Sequence, residues 1–211
     1  MGKNKMGILK NFDLSRFASI QSFVETGTQD GVGLEYARQS GNFFELHSIE
    51  INEGYFNSAR AKFSYAKNVH LWHGNSIDKI PLVIKEIEDY SSCLYWLDAH
   101  IPEDTKKYPF FTEDEEIIFP LEKEFELIVK NRDITNDYFL IDDLRVYIEG
   151  PFQYPFSSHP DSEKQKQKYP NYFPHKNGVS FIEDLIGDTH SIENIWDHEG
   201  YLYAYPKDRR L

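Results

Sequence analysis

Only one cysteine, Cys93, occurs in the 211 residues, so no disulfide can close within the chain. It lies in the apolar run Cys93-Leu94-Tyr95-Trp96-Leu97, which reads as a reduced core thiol of a cytoplasmic protein. Long apolar runs are missing too. No stretch reaches membrane-spanning length, and the N-terminus has no apolar signal-peptide core. Gly2 follows Met1, but Met6 stands where a myristoylated chain carries Ser or Thr. Positive charge is in deficit, with 23 Lys and Arg against 35 Asp and Glu and a net charge of −12. Nucleic acid and anionic membranes are recognised through clustered cations, so neither is an expected partner. A neutral or cationic acceptor, or a bound metal ion, suits that field better.

Aromatic residues are abundant, with 14 Tyr, 16 Phe and 3 Trp, and 40% hydrophobic composition allows a sizeable core. One domain over residues 1–211 is the simplest division, with 1–20 as an N-terminal extension. Apolar runs alternate with helical patterns, the mark of βαβ units and a mostly parallel sheet. Strands are expected at Gln21–Thr26, Glu45–Ile51, Val69–Trp72, Leu94–Leu97 and Tyr138–Ile141. Helical spacing follows at Gly33–Ser40, through Tyr55, Ala59 and Phe63, at Ile80–Ile87, and through Leu121, Phe125, Ile128 and Val129. Ser191–Trp196 and Tyr201–Tyr205 flank a Gly200 turn and read as a C-terminal antiparallel hairpin. The fold class is therefore α/β, a doubly wound sheet with an antiparallel edge. Segments 101–119 and 149–176 lack periodicity and follow strand C-terminal ends, so they are expected to cover substrate.

The strand ends carry the chemistry. Phe23-Val24-Glu25-Thr26-Gly27-Thr28-Gln29-Asp30-Gly31-Val32-Gly33 passes from a buried strand through a glycine-rich turn into a helix, the layout that lets backbone approach a nucleotide. Glu50 ends the second strand, 23 residues beyond Gly27 (50 − 27), where an acid can accept two ribose hydroxyls. Asn75 and Ser76 form a turn where an adenine edge could meet them; the same residues also make an ordinary helix cap. Two further strands end in Trp96-Leu97-Asp98-Ala99-His100 and Leu140-Ile141-Asp142-Asp143-Leu144-Arg145. If Asp98, Asp142 and Asp143 converge, their repulsion calls for a hard divalent cation such as Mg²⁺ or Mn²⁺. The alternative is that Asp143 pairs with Arg145 and leaves two acids. His100 stands two residues past Asp98, where it could take a proton from an acceptor hydroxyl. The other seven histidines are scattered without metal-ligand spacing; His159 and His175 fall in the aromatic segment, where Phe152, Tyr154, Phe156, Tyr169 and Tyr172 could stack on a sugar or anchor the loop.

Together, Val24-Glu25-Thr26-Gly27, Ser48-Ile49-Glu50, Gly74-Asn75-Ser76, Trp96-Leu97-Asp98-Ala99-His100 and Leu140-Ile141-Asp142-Asp143 resemble the class I S-adenosylmethionine-dependent methyltransferases. The closer likeness is to sugar and small-molecule O-methyltransferases of the macrocin O-methyltransferase type, and it runs from Gln21 to Tyr205. The resemblance implies a Rossmann-like, seven-stranded sheet with its last strand antiparallel. It implies S-adenosylmethionine over the glycine turn, contacted by Glu25, Gly27, Thr28, Gly31 and Asp98, with Glu50 on the ribose and Asn75 and Ser76 near adenine. It also implies a divalent cation on Asp98, Asp142 and Asp143, with Asp98 or His100 accepting the proton of a small-molecule or glycan hydroxyl. Two departures stand out. The turn Gly27-Thr28-Gln29-Asp30-Gly31 is looser than the family form, and His100-Ile101 stands near where the catechol-type branch has a lysine.

Two other readings compete. An NAD-dependent oxidoreductase shares the glycine turn and the ribose acid, but the G-x-G-x-x-G spacing is missing. A catalytically silent binding module on the same fold would not need the acids Glu50, Asp98, Asp142 and Asp143.

Overall fold

The computed structural model describes residues 12–88, 91–100, 107, 109, 110, 112–155, 167 and 178–208. Seven strands form one sheet: β1 Ser22–Thr26, β2 Glu45–Glu50, β3 Val69–His73, β4 Cys93–Leu97, β5 Tyr138–Ile141, β6 His190–Ile195 and β7 Tyr201–Pro206. Their order is β3-β2-β1-β4-β5-β7-β6. β1 to β5 are parallel, while β7 runs antiparallel to both β5 and β6. This is the doubly wound sheet with a terminal hairpin that the sequence pattern predicts. β1, β4 and β5 are buried at every position, because helices cover both faces of the sheet centre.

On one face lie α3 Ser76–Glu86, the short α4 Glu115–Ile118, α5 Leu121–Asn131 and α6 Ser180–Ile186. Ile80, Val83 and Ile84 of α3 and Phe125 and Ile128 of α5 join Val24, Tyr95, Phe139 and Ile141 in that core layer. On the other face, α1 Val32–Ser40 and α2 Glu53–Lys62 bring Leu34, Ala37 and Ala59 onto Phe23, Leu46 and Trp96. Residues 12–20, expected as an extension, belong to this second layer. Leu14–Phe17 make a turn of 3-10 helix, and Phe12 meets Trp96 and Tyr201 edge-on at 6.1 and 4.8 Å.

Asn52 and Asn75 start α2 and α3 by accepting backbone N–H bonds from Gly54 and Tyr55 and from Ile77. α4 and α6 lie where no helix is expected from the sequence; four and seven residues are too few to show a helical period. At the opposite end of the sheet from these caps, buried Arg132 pairs with Asp137 at 2.8 Å, and Asp137 accepts the Cys93 N–H at 2.9 Å. That pair joins the end of α5 to the starts of β4 and β5.

Most of the two segments expected to cover substrate, including Phe156, His159, Tyr169, Tyr172 and His175, lies outside the described residues. Phe152 is described. It is buried against Trp196, with ring centroids 5.1 Å apart, so it anchors its segment to the body. No described helix is long and apolar enough to cross a membrane.

Candidate active site

The strand order reverses direction between β1 and β4, and an open crevice lies at the C-terminal ends there. Gly27, Glu50, Asn75, Ser76, Asp98 and His100 line it, with Gln29, Tyr55, Ile117 and Pro120. Six of the expected site residues, from four separate strand ends, thus line one crevice.

The glycine turn forms one wall. Gly27 has φ +86°, and a Cβ on it would stand 3.0 Å from the backbone oxygen of Asp98. Only glycine allows β1 and the β4 end to approach so closely. Glu50 is fixed by the backbone on both sides: Gln29 N donates to Oε2 at 2.7 Å and Asn52 N to Oε1 at 2.8 Å. Burial raises the Glu50 pKa, and those N–H bonds partly offset it. Each oxygen keeps a lone pair that a ligand hydroxyl can use. Asn75 spends its side-chain oxygen on the N-cap of α3.

Three residues expected to touch a cofactor do not line the crevice. Glu25 and Thr28 lie beneath the turn, where Ser48 Oγ donates to Glu25 Oε2 at 2.6 Å and stands 2.6 Å from Thr28 Oγ1. Burial pushes the Glu25 pKa up to about 8, against the lowering effect of the Ser48 bond. Gly31, at φ +63°, starts α1 against the Phe63 ring, and Lys62 Nζ holds its carbonyl at 2.8 Å. These residues shape the turn from below.

The acids at β4 and β5 divide. Asp143 does not join a three-acid site. It takes a left-handed backbone, φ +53°, that turns its carboxylate onto Arg145 Nε at 2.6 Å and His100 Nε2 at 3.1 Å. Burial raises its pKa, but those two partners hold it below the usual value. Arg145 is the alternative partner the sequence left open, and it also bonds the Tyr154 carbonyl at 2.7 Å. The other His100 nitrogen, Nδ1, lies 3.6 Å from Asp98 Oδ1, so the ring stands between two carboxylates. Burial opposes its charge, yet the Asp143 bond and both carboxylates raise its pKa overall. Asp98 is raised to about 6, chiefly by burial, and Asp142 is raised well, by burial and by the charges of Asp98 and Asp143. Asp142 also hydrogen-bonds Asp98, so the two carboxyls share a proton whose place a magnesium-type cation, needing only one or two protein acids, could take. Asp98 and Asp142 therefore fit such an ion; Asp143 does not.

Glu124 escapes notice in the sequence. It is fully buried on α5, accepts from Thr26 Oγ1 at 3.4 Å, and has Oε1 without a hydrogen-bond partner. Burial raises its pKa to about 7, against the bonds from Ser76 and Thr26. Thr26 Oγ1 in turn accepts from the Asp98 and Ala99 N–H groups at 3.3 Å each, so Glu124 supports the β4 end from behind. The signal was an acid three residues after Leu121, on the apolar face of an amphipathic helix.

No protein-family model and no curated protein matches the chain in sequence. Solved structures do match its fold. An O-methyltransferase from Bacillus cereus in complex with SAH aligns at TM-score 0.58 and 14% identity, over 98% of this chain and 82% of that one. The SAH-bound Podospora anserina methyltransferase PaMTH1 aligns at TM-score 0.58 and 15% identity, over 95% and 76%. The O-methyltransferase TomG from Streptomyces achromogenes, involved in tomaymycin synthesis and in complex with SAM, aligns at TM-score 0.56 and 15% identity, over 98% and 81%. The chain has the Rossmann-like methyltransferase fold.

Proposed function

We propose that this protein is an S-adenosylmethionine-dependent O-methyltransferase that acts on a hydroxyl of a small molecule, with a sugar or similar polyol preferred. The observation that carries this reading is the crevice itself. One wall is a glycine turn packed onto the β4 end, with Glu50 fixed for a ribose, and the other presents Asp98 beside His100. Adenosylmethionine would lie over Gly27 with its ribose on Glu50 and its adenine toward Asn75 and Ser76. The net charge of −12 suits the cationic sulfonium and a neutral acceptor.

Transfer is an in-line displacement: the acceptor oxygen forms a bond to the methyl carbon as the carbon–sulfur bond breaks, leaving the homocysteine thioether. The chain must align the two and take up the hydroxyl proton. Asp98 lines the crevice and is the acceptor we assign. His100, fixed by Asp143, also lines the crevice with its Nδ1 3.6 Å from Asp98 Oδ1 and without a hydrogen-bond partner, so it is the second candidate to take the proton. A divalent cation held by Asp98 and Asp142 would lower the pKa of the acceptor hydroxyl and orient it.

The test is an acceptor screen with labelled adenosylmethionine, run with Mg²⁺ and with excess chelator, on the native chain and on Asp98→Ala. Label transfer that needs Asp98 supports the reading. Adenosylmethionine binding with no transfer to any hydroxyl acceptor would favour the silent module, and transfer unchanged in Asp98→Ala would remove Asp98 from the mechanism.

A further inference from the structure

The β2–β3 edge carries a donor set that the crevice does not use. Glu45 and His47 stand two residues apart on β2, so both side chains leave the same sheet face. His70 is the in-register partner of His47 on β3 and stands on that face too. One ligand atom from each residue lies within 4.8 Å of the other two, the one such group of three among the described residues. The histidines judged scattered in the sequence are 23 positions apart (70 − 47), and only the strand register brings them together.

His47 is 1% exposed, yet its Nε2 has no hydrogen-bond partner. Glu45 Oε2 stands 3.5 Å from that nitrogen, long for a hydrogen bond. It is the right length for something else: two ligands each about 2.1 Å from a tetrahedral ion stand roughly 3.4 Å apart. The second Glu45 oxygen accepts from Ser22 Oγ at 2.8 Å, which fixes the carboxylate as ligating carboxylates usually are fixed. The two imidazoles stack with centroids 4.8 Å apart and planes 19° from parallel, so one ring must turn for both in-plane lone pairs to reach one ion. Glu45 and His70 are open to solvent, so an ion can enter and a water can complete its coordination.

We infer that Glu45, His47 and His70 form a site for a borderline divalent transition metal of the Zn²⁺ class, with two imidazole nitrogens, one carboxylate oxygen and a fourth position open to water. The site is separate from the crevice, whose lining on these two strands begins at Ile49 and Glu50. A bound ion would cross-link the outermost parallel strand to its neighbour. One group works against it. Trp72 Nε1 donates to His47 Nδ1 at 3.2 Å, which puts the proton of the neutral ring on Nε2, and metal binding must displace it. Removing the indole N–H therefore helps the ion.

The test titrates the metal-free, untagged protein with Zn²⁺ against a chromogenic chelator. One ion per chain is expected at this edge. His70→Gln and Glu45→Gln should each weaken it at least tenfold, Trp72→Phe should tighten it, and Asp142→Asn should leave it in place. His70 is exposed, so His70→Gln should keep the metal-free unfolding midpoint and the affinity for S-adenosylhomocysteine of the native protein. Zn²⁺ affinity unchanged in both His70→Gln and Glu45→Gln, or lost in Asp142→Asn, overturns the site. The methyltransferase reading stands or falls separately.

Discussion

Glu25→Gln should stabilise the protein at pH 8 and do almost nothing at pH 4.5. Glu25 is 2% exposed beneath the glycine turn, and its pKa is pushed up to about 8 from 4.5, first by burial. The folded state thus holds this proton more tightly than the unfolded chain does. Its contribution is fully present below pH 4.5, declines as pH rises toward 8, and is flat above that. A shift of that size corresponds to roughly 3–5 kcal/mol across the window at about 1.4 kcal/mol per unit. Glutamine keeps an oxygen for the Ser48 bond at 2.6 Å and cannot ionise. The variant should therefore lose most of the pH slope, with a gain on the order of 10 °C in midpoint at pH 8 for a chain of this length. The assay is urea or thermal unfolding of both proteins at half-unit steps from pH 4.5 to 8.5. An equal difference between the two at every pH, or a glutamine variant less stable at pH 8, would refute the claim that the native carboxyl is neutral.

Glu50→Ala removes the proposed ribose acceptor and releases the Gln29 and Asn52 N–H groups, so the Kd for S-adenosylhomocysteine should rise about 10- to 100-fold, near 1.4–2.8 kcal/mol, by calorimetry. Gly27→Ala forces a Cβ to 3.0 Å from the Asp98 oxygen at φ +86°, and should cost about 1–3 kcal/mol in denaturant unfolding along with weakened cofactor binding. Arg132→Met leaves Asp137 buried without its partner and should destabilise by about 3–5 kcal/mol; the double change with Asp137→Asn should recover much of that loss. Asp142→Asn should abolish turnover while S-adenosylhomocysteine binding stays within a few-fold of native; full turnover in the variant, or in excess chelator, would remove the cation from the mechanism.

Backbone periodicity and the acids at strand ends were legible in the sequence for a physical reason. A strand buried on both faces disfavours acids until it leaves the sheet, so Glu50, Asp98 and Asp142 announce where β2, β4 and β5 end; Glu25, inside buried β1 with its pKa raised, is the exception. Side-chain direction was not legible. The left-handed backbone at Asp143 brings its carboxylate onto Arg145 and His100, and no spacing rule reports that. Glu25 occupies a strand position like that of its apolar neighbours and bonds Ser48 across the sheet, so an acid that looked cofactor-facing is a support. Glu124 was readable as a misplaced acid on the apolar face of α5, but its partner Thr26 lies 98 residues away. His47 and His70 meet only through the parallel register of β2 and β3, which long-range pairing decides.

The crevice over Gly27 and Glu50 is the proposed seat of adenosylmethionine. Calorimetric titration of the purified protein with S-adenosylhomocysteine, after any copurified cofactor is removed, tests it most directly. Saturable binding at one site per chain is expected, weakened at least tenfold in Glu50→Ala. No binding, or binding that Glu50→Ala leaves unchanged, would contradict it.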